Sequence, residues 1–92
     1  MEPLAGKVSI VTGAGRGIGR AISLLLSRSG SRVVLAARTE SQLNAVREEI
    51  RSQKGEALVV PTDLTRDEEM DRLVKKTLEE WGSIDYLINN AG

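Results

Sequence analysis

Val8-Ser9-Ile10-Val11-Thr12-Gly13-Ala14-Gly15-Arg16-Gly17-Ile18-Gly19 is the stretch on which the reading of this chain turns. A β-branched apolar strand runs straight into a glycine-rich turn and then into a helix. Glycine permits the positive φ and close backbone approach that side chains forbid. The helix that follows offers unpaired N–H groups and a positive dipole end to an anion. Together they make a phosphate cradle. The spacing is Gly-x-x-x-Gly-x-Gly through Gly13, Gly17 and Gly19. The broader Gly-x-Gly-x-x-Gly pattern fails, because Ile18 and Arg20 stand where its last glycine belongs.

Outward from that turn, strand and helix alternate throughout. The first strand is expected over residues 7–12 and the first helix over 16–28, with Ile18, Ala21, Ile22 and Leu25 on its apolar face. Gly30 reads as a helix stop. Residues 32–37, an apolar run, suit a buried parallel strand. Thr39 and Gln42 resemble a capping box opening a helix to about residue 53, with Leu43, Val46 and Ile50 inward and Gly55 as its stop. A third strand falls over 57–60. A second capping box, Thr65 to Glu68, opens the longest helix, with a buried stripe of Met70, Leu73, Val74, Leu78 and Trp81. A fourth strand over 84–88 leads into Asn89-Asn90-Ala91-Gly92.

That alternation predicts an α/β fold: a partial doubly wound Rossmann fold with a four-stranded parallel sheet ordered 3-2-1-4 and three helices. Ligands on such sheets bind beyond the carboxyl ends of the strands, where strand order reverses. The crevice is expected between the ends of strands one and four, with the glycine turn facing residues 89–92.

Composition narrows the function classes. With 40% hydrophobic and 28% charged residues, the 92-residue chain reads as one small globular domain rather than a disordered segment. Thirteen basic and thirteen acidic residues cancel, which gives no electrostatic case for nucleic acid or an anionic membrane as partner. Trp81 and Tyr86 are the only aromatics, too few for a base-stacking platform. The absence of Cys and His removes disulfides, Cys/His metal sites and Ser–His or Cys–His relays. No secretory signal or membrane-length apolar run is seen, so a cytoplasmic location is expected.

The motifs then combine. Thr12 to Gly19, Asp63-Leu64, Trp81-Gly82-Ser83-Ile84-Asp85 and Asn89-Asn90-Ala91-Gly92 resemble, in order and spacing, those of the short-chain dehydrogenase/reductase family. The resemblance covers essentially the whole chain. It implies a nicotinamide dinucleotide site formed by Gly13, Gly15, Arg16, Gly17, Ile18, Gly19, Arg38, Asp63, Leu64, Asn90, Ala91 and Gly92. Gly13 allows the tight turn, Gly17 the approach of the pyrophosphate, and Gly19 close helix–strand packing. Asp63 is expected to accept from the adenine amino group, with a turn or cap role as its alternative. Leu64 adds an apolar wall. Asn90, Ala91 and Gly92 border the adenosine ribose, while Asn89 is expected to hold the sheet through backbone hydrogen bonds.

Cofactor choice is expected to follow from the end of the second strand. A carboxylate there binds the ribose hydroxyls of the unphosphorylated cofactor. This chain has Ala37, then Arg38, with Arg16 in the glycine turn. Two guanidinium groups favour a 2′-phosphate, so NADP(H) is predicted over NAD.

The family's catalytic Ser and Tyr-x-x-x-Lys find no match. Tyr86 is followed four positions on by Asn90, so no catalytic residue and no metal ligand is assigned. The chain is expected to be the cofactor-binding front half of a larger reductase domain, inactive alone. A non-catalytic dinucleotide-binding module and an interaction or complementation fragment are the alternatives. An exposed edge at strand four and a sheet face carrying one helix predict marginal stability alone, or a homo-oligomer.

Overall fold

Val8–Thr12 forms strand β1, and all five of its residues are buried. A strand buried on both faces belongs at the centre of a parallel sheet covered on each side. The computed structural model describes residues 2–90. In it β1 is followed by α1 (Gly17–Arg28), β2 (Arg32–Ala37), α2 (Glu40–Ser52), β3 (Ala57–Pro61), α3 (Asp67–Trp81) and β4 (Tyr86–Ile88). The sheet order is β3-β2-β1-β4, parallel at every pairing, with Ile10 beside Val34 on one flank and Leu87 on the other. The expected architecture is observed.

Alternate residues of the strands feed two cores. Val11, Val33 and Leu35 meet Leu43, Val46 and Ile50 of α2 and the half-buried Ile22 of α1. Ile10, Val34, Ala36 and Val60 meet Leu73, Met70 and Trp81 of α3 on the other side. Two helices thus cover one face and α3 the other. The Arg32 guanidinium lies 5.9 Å from the centre of the Trp81 ring, so that indole serves the core and a surface cation.

Three helix expectations need correction. The buried stripe of α1 is Gly19, Ser23 and Ser27, while Ile18 and Leu25 are 72% and 57% exposed. Small residues at four-residue spacing bring this helix close to the sheet, and the Ser23 hydroxyl is satisfied by Gly19 O at 2.8 Å. On α3, Leu73 and Thr77 are buried, but Val74 and Leu78 are exposed, because the single helix on this face turns only its narrow inner edge to the strands. Neither capping box closes. Thr39 makes no side-chain cap bond at α2, and the N-cap of α3 is Arg66, one residue beyond Thr65.

The stop after α2 also differs. Lys54, with φ 64°, takes the left-handed conformation there. Gly55 answers a different need, since a Cβ on it would lie 2.1 Å from Ser27 Oγ. At the sheet edge, Tyr86 and Leu87 are exposed, whereas Ile84 and Ile88 pack against the cores. Strand β4 is shorter than the expected 84–88, because Asp85 turns back to bond β1: its amide donates to Val8 O and its carboxylate accepts from Val8 N, both at 2.8 Å.

Candidate dinucleotide-binding site

The carboxyl ends of β1, β2 and β3 open into a cleft of about 800 Å³. Gly13, Gly15 and Arg16 form one wall. Ala37, Arg38, Thr39 and Gln42 form the second, and Thr62, Asp63, Leu64 and Thr65 the third. Three successive strand-to-helix loops therefore converge on one space, as parallel crossovers of the same hand require.

Backbone geometry at the first wall is specific. Gly13 and Gly17 have φ of 62° and 58°, the left-handed region that glycine enters at least cost. Gly19 has no such φ, but a Cβ there would lie 2.0 Å from Gly13 O. The turn folds back directly onto the first turn of α1, and only hydrogen fits between them. A Cβ on Gly17 would meet nothing within 4 Å, so this backbone faces open space.

The start of α1 also lacks any acidic compensation. Arg16, its N-cap, makes no side-chain cap bond, and the first turn holds no acid. Helix α2 has Glu40 in its first turn, and α3 has Asp67, Glu68 and Glu69. Acids at those two ends offset the positive dipole, whereas α1 leaves its orphan N–H groups and dipole for something else. A diphosphate fits this end, since the cradle provides donors, positive potential and close approach together.

Arg16 and Arg38, both exposed, stand on adjacent walls, and Ala37 precedes Arg38 at the end of β2. Asp63 lies opposite. Its Oδ1 accepts from Thr65 N at 3.0 Å and from Thr65 Oγ1 at 2.6 Å. The Thr65 hydroxyl first and its amide second hold the Asp63 carboxyl below the usual carboxylate range, outweighing partial desolvation, with Arg38 and Arg66 adding to the effect.

The ends of β1 and β4 are tied together by side-chain hydrogen bonds. The Thr12 hydroxyl lies 3.2 Å from Asn89 Oδ1 and 3.3 Å from Ile88 O, and it accepts from Asn90 N at 2.9 Å. Asn90 Nδ2 donates to Gly13 O at 3.4 Å. The cleft that the described residues line lies over the ends of β1–β3, beside these ties. Among the described residues Asn89 Oδ1 accepts from the Thr12 hydroxyl, and Asn90 Nδ2 provides a tie to the main chain at Gly13.

Of the expected site residues, Gly13, Gly15, Arg16, Arg38, Asp63 and Leu64 line the cleft. Gly17 and Ile18 follow the lining residue Arg16 at the exposed start of α1 but are not part of the lining, Gly19 is buried against Gly13, and Asn90 bonds Gly13 O. Ala91 and Gly92 lie outside the described residues. Thr39, Gln42, Thr62 and Thr65 line the cleft beyond the expected set, and Thr12 joins the ends of β1 and β4. A hydroxyl residue at the last position of a buried strand, as Thr12 is in β1, is a usable signal for a bonded role at the switch point. Gln42 gave no such signal: its side chain lies against Gly15, where a Cβ would come within 2.9 Å of it.

A family model described as short chain dehydrogenase matches residues 7–92. The chain belongs to the short-chain dehydrogenase family. This short-chain dehydrogenase sequence is 44% identical over 92 residues to an uncharacterized oxidoreductase of Staphylococcus aureus (strain MRSA252), a span covering 100% of this chain and 39% of that protein. Its fold is similar to that of a metagenomic short-chain oxidoreductase crystallised in complex with NADP, with TM-score 0.94 and 43% identity over 98% of this chain and 41% of that one. A hydroxysteroid dehydrogenase from Escherichia coli gives TM-score 0.94 and 36% identity over 97% of this chain and 38% of its own. The chain spans well under half the length of each. Short-chain dehydrogenases bind nicotinamide dinucleotides, and the chemistry of the cleft fits such a ligand. Among the described residues no helix is long and apolar enough to cross a membrane.

Proposed function

We propose that these residues form the NADP(H)-binding portion of a larger reductase domain that transfers hydride between NADP(H) and a carbonyl or alcohol substrate. The observation that carries the phosphorylated cofactor is the pair Arg16 and Arg38 on one cleft, with Ala37 where a ribose-binding carboxylate would stand. A 2′-phosphate is a dianion with three acceptor oxygens, and forked, charge-assisted bonds from guanidinium are the strong kind. The NADP complex of the similar metagenomic oxidoreductase supports this reading.

In this reading the amides around Gly13–Gly17 and the start of α1, including Ile18, hold the pyrophosphate, and Gly19 sets how closely the turn packs. Gly15 lets Gln42 close the side of the cradle. Asp63 and Leu64 take the adenine, while Asn90, Ala91 and Gly92 approach the adenosine ribose. When bound, the nicotinamide supplies or accepts the hydride. No Tyr-x-x-x-Lys occurs in the 92 residues, and Tyr86 lies on the edge strand away from the cleft lining. Proton transfer to the substrate therefore belongs to residues other than these.

Calorimetric titration with NADP and NAD tests the assignment. NADP is expected to bind more tightly, and Arg38→Asp to cut the NADP-to-NAD affinity ratio roughly tenfold or more by replacing a phosphate donor with a repelling charge. An unchanged ratio in Arg38→Asp would sink the 2′-phosphate assignment.

A further inference from the structure

The loop after β3 is secured from behind by α3. Asp63 N donates to Glu69 Oε1 at 3.2 Å, and Arg72 donates to Pro61 O while pairing with Glu69 Oε2 at 3.5 Å. With the main chain held this way, the remaining freedom at Asp63 is rotation of its carboxylate. Thr65 removes it. Its amide and hydroxyl both donate to the same oxygen, Oδ1, at 3.0 and 2.6 Å. Among the described residues no hydrogen bond reaches Oδ2, and both Asp63 and Thr65 line the cleft.

We infer that Thr65 is a positioning residue for base recognition: its hydroxyl locks the Asp63 carboxylate so that Oδ2 is the single acceptor presented to the exocyclic amino group of a 6-aminopurine. The inference rests on the dinucleotide reading above and deepens it. An ionised carboxylate is acceptor-only, and the two Thr65 bonds favour the ionised form of Asp63. A 6-oxopurine would set its carbonyl oxygen against that carboxylate, acceptor against acceptor. A fixed carboxylate therefore selects adenine over hypoxanthine, whereas one swinging on a single amide bond turns aside and loses the distinction. The hydroxyl, not the amide, is the part of Thr65 that side-chain substitution removes.

The test is calorimetric titration of the protein, Thr65→Ala and Thr65→Ser with NADP and with its hypoxanthine analogue, in which a carbonyl oxygen replaces the 6-amino group and N1 carries a proton. The unsubstituted protein is expected to favour NADP by roughly tenfold, as one charge-assisted hydrogen bond allows. Thr65→Ala should reduce that preference to about threefold or less, and Thr65→Ser should restore it. Each ratio is taken on one preparation, so a fraction of unfolded protein cancels. If Thr65→Ala keeps the original preference, the positioning role is overturned while the Asp63–base contact stands. If the unsubstituted protein binds both cofactors equally, that contact falls and the inference with it. Absence of heat with either cofactor overturns the dinucleotide reading itself.

Discussion

Gly19→Ala separates close packing from glycine flexibility, because Gly19 is a helical glycine without positive φ. By helix propensity alone, alanine here should gain about 1 kcal/mol. The structure opposes that gain. The new Cβ would lie 2.0 Å from Gly13 O and 2.7 Å from both Gly13 C and Asn90 Nδ2, whereas ordinary contact begins near 3.4 Å. The carbonyl would have to retreat by more than an ångström. It belongs to the backbone of a tight turn and accepts from Asn90 Nδ2, so retreat also loosens the tie to the end of β4. Overpacking typically costs about 1–3 kcal/mol, and a clash with backbone belongs at the upper end. Net of propensity, Gly19→Ala should lose about 2 kcal/mol. That is a fall in Tm of roughly 8–16 °C for a domain of this size. The expected stability of such a domain, on the order of 5–14 kcal/mol, leaves the variant folded enough to measure. Urea unfolding followed by Trp81 fluorescence and far-ultraviolet circular dichroism reads the loss. Gly17→Ala is the control: its Cβ meets no atom, and it should lose about 1–2 kcal/mol from its left-handed backbone alone. The packing argument is refuted if Gly19→Ala is as stable as the parent, within about 0.5 kcal/mol.

Two further outcomes follow from the core and from the loop. On α3, Leu73→Ala should cost about 2–5 kcal/mol, because Leu73 is fully buried. Leu78→Ala, one turn further and 45% exposed, should stay within about 0.5 kcal/mol; equal losses in urea unfolding would contradict the orientation of this helix. Asp63 should titrate below its ordinary value of 3.8, and Thr65→Ala should raise it toward that value, as carboxyl carbon NMR can follow. A depressed carboxyl contributes stability that is complete above the ordinary value and lost as pH falls through the folded one. The stability difference between parent and Thr65→Ala should therefore close below about pH 4. Identical titration of Asp63 in both proteins would remove Thr65 as the cause.

The strands and their order were legible because each is a short apolar run between turn residues, and alternation with helices leaves few topologies. The helix faces were less so. Periodicity counts apolar residues, and it selected Ile18 and Leu25, but contact with a sheet is made by whatever allows the closest approach. On α1 that is Gly19, Ser23 and Ser27, two of them hydroxyl residues that a hydropathy pattern assigns to solvent. Capping boxes failed for a related reason. Thr39, Gln42 and Thr65 have the right identities and spacing, but two of these side chains are drawn into the cleft, Thr65 by Asp63 and Gln42 by the flank of Gly15. Local grammar was overruled where side chains from different loops meet, and that is where the site lies.

The same competition accounts for the charge arrangement at α1. Arg16 at the N-cap and Arg20 in the first turns place cations beside the positive end of the helix dipole, an unfavourable position by about 0.3–1 kcal/mol each. Arg20 is relieved in place, since it pairs with Glu49 of α2 and ties the two helices of that face together. Arg16 has no ion pair among the described residues and faces the cleft. A free chain thus holds an uncapped helix end and an unrelieved cation side by side, and an anion seated between them relieves both at once. Ligand that binds only the folded chain stabilises it by about 2.7 kcal/mol at one hundred times its dissociation constant. For a domain with so thin a core over α3, that is a substantial share of its stability. Under the proposed function, cofactor binding at the turn that opens α1 and folding of the chain are therefore linked.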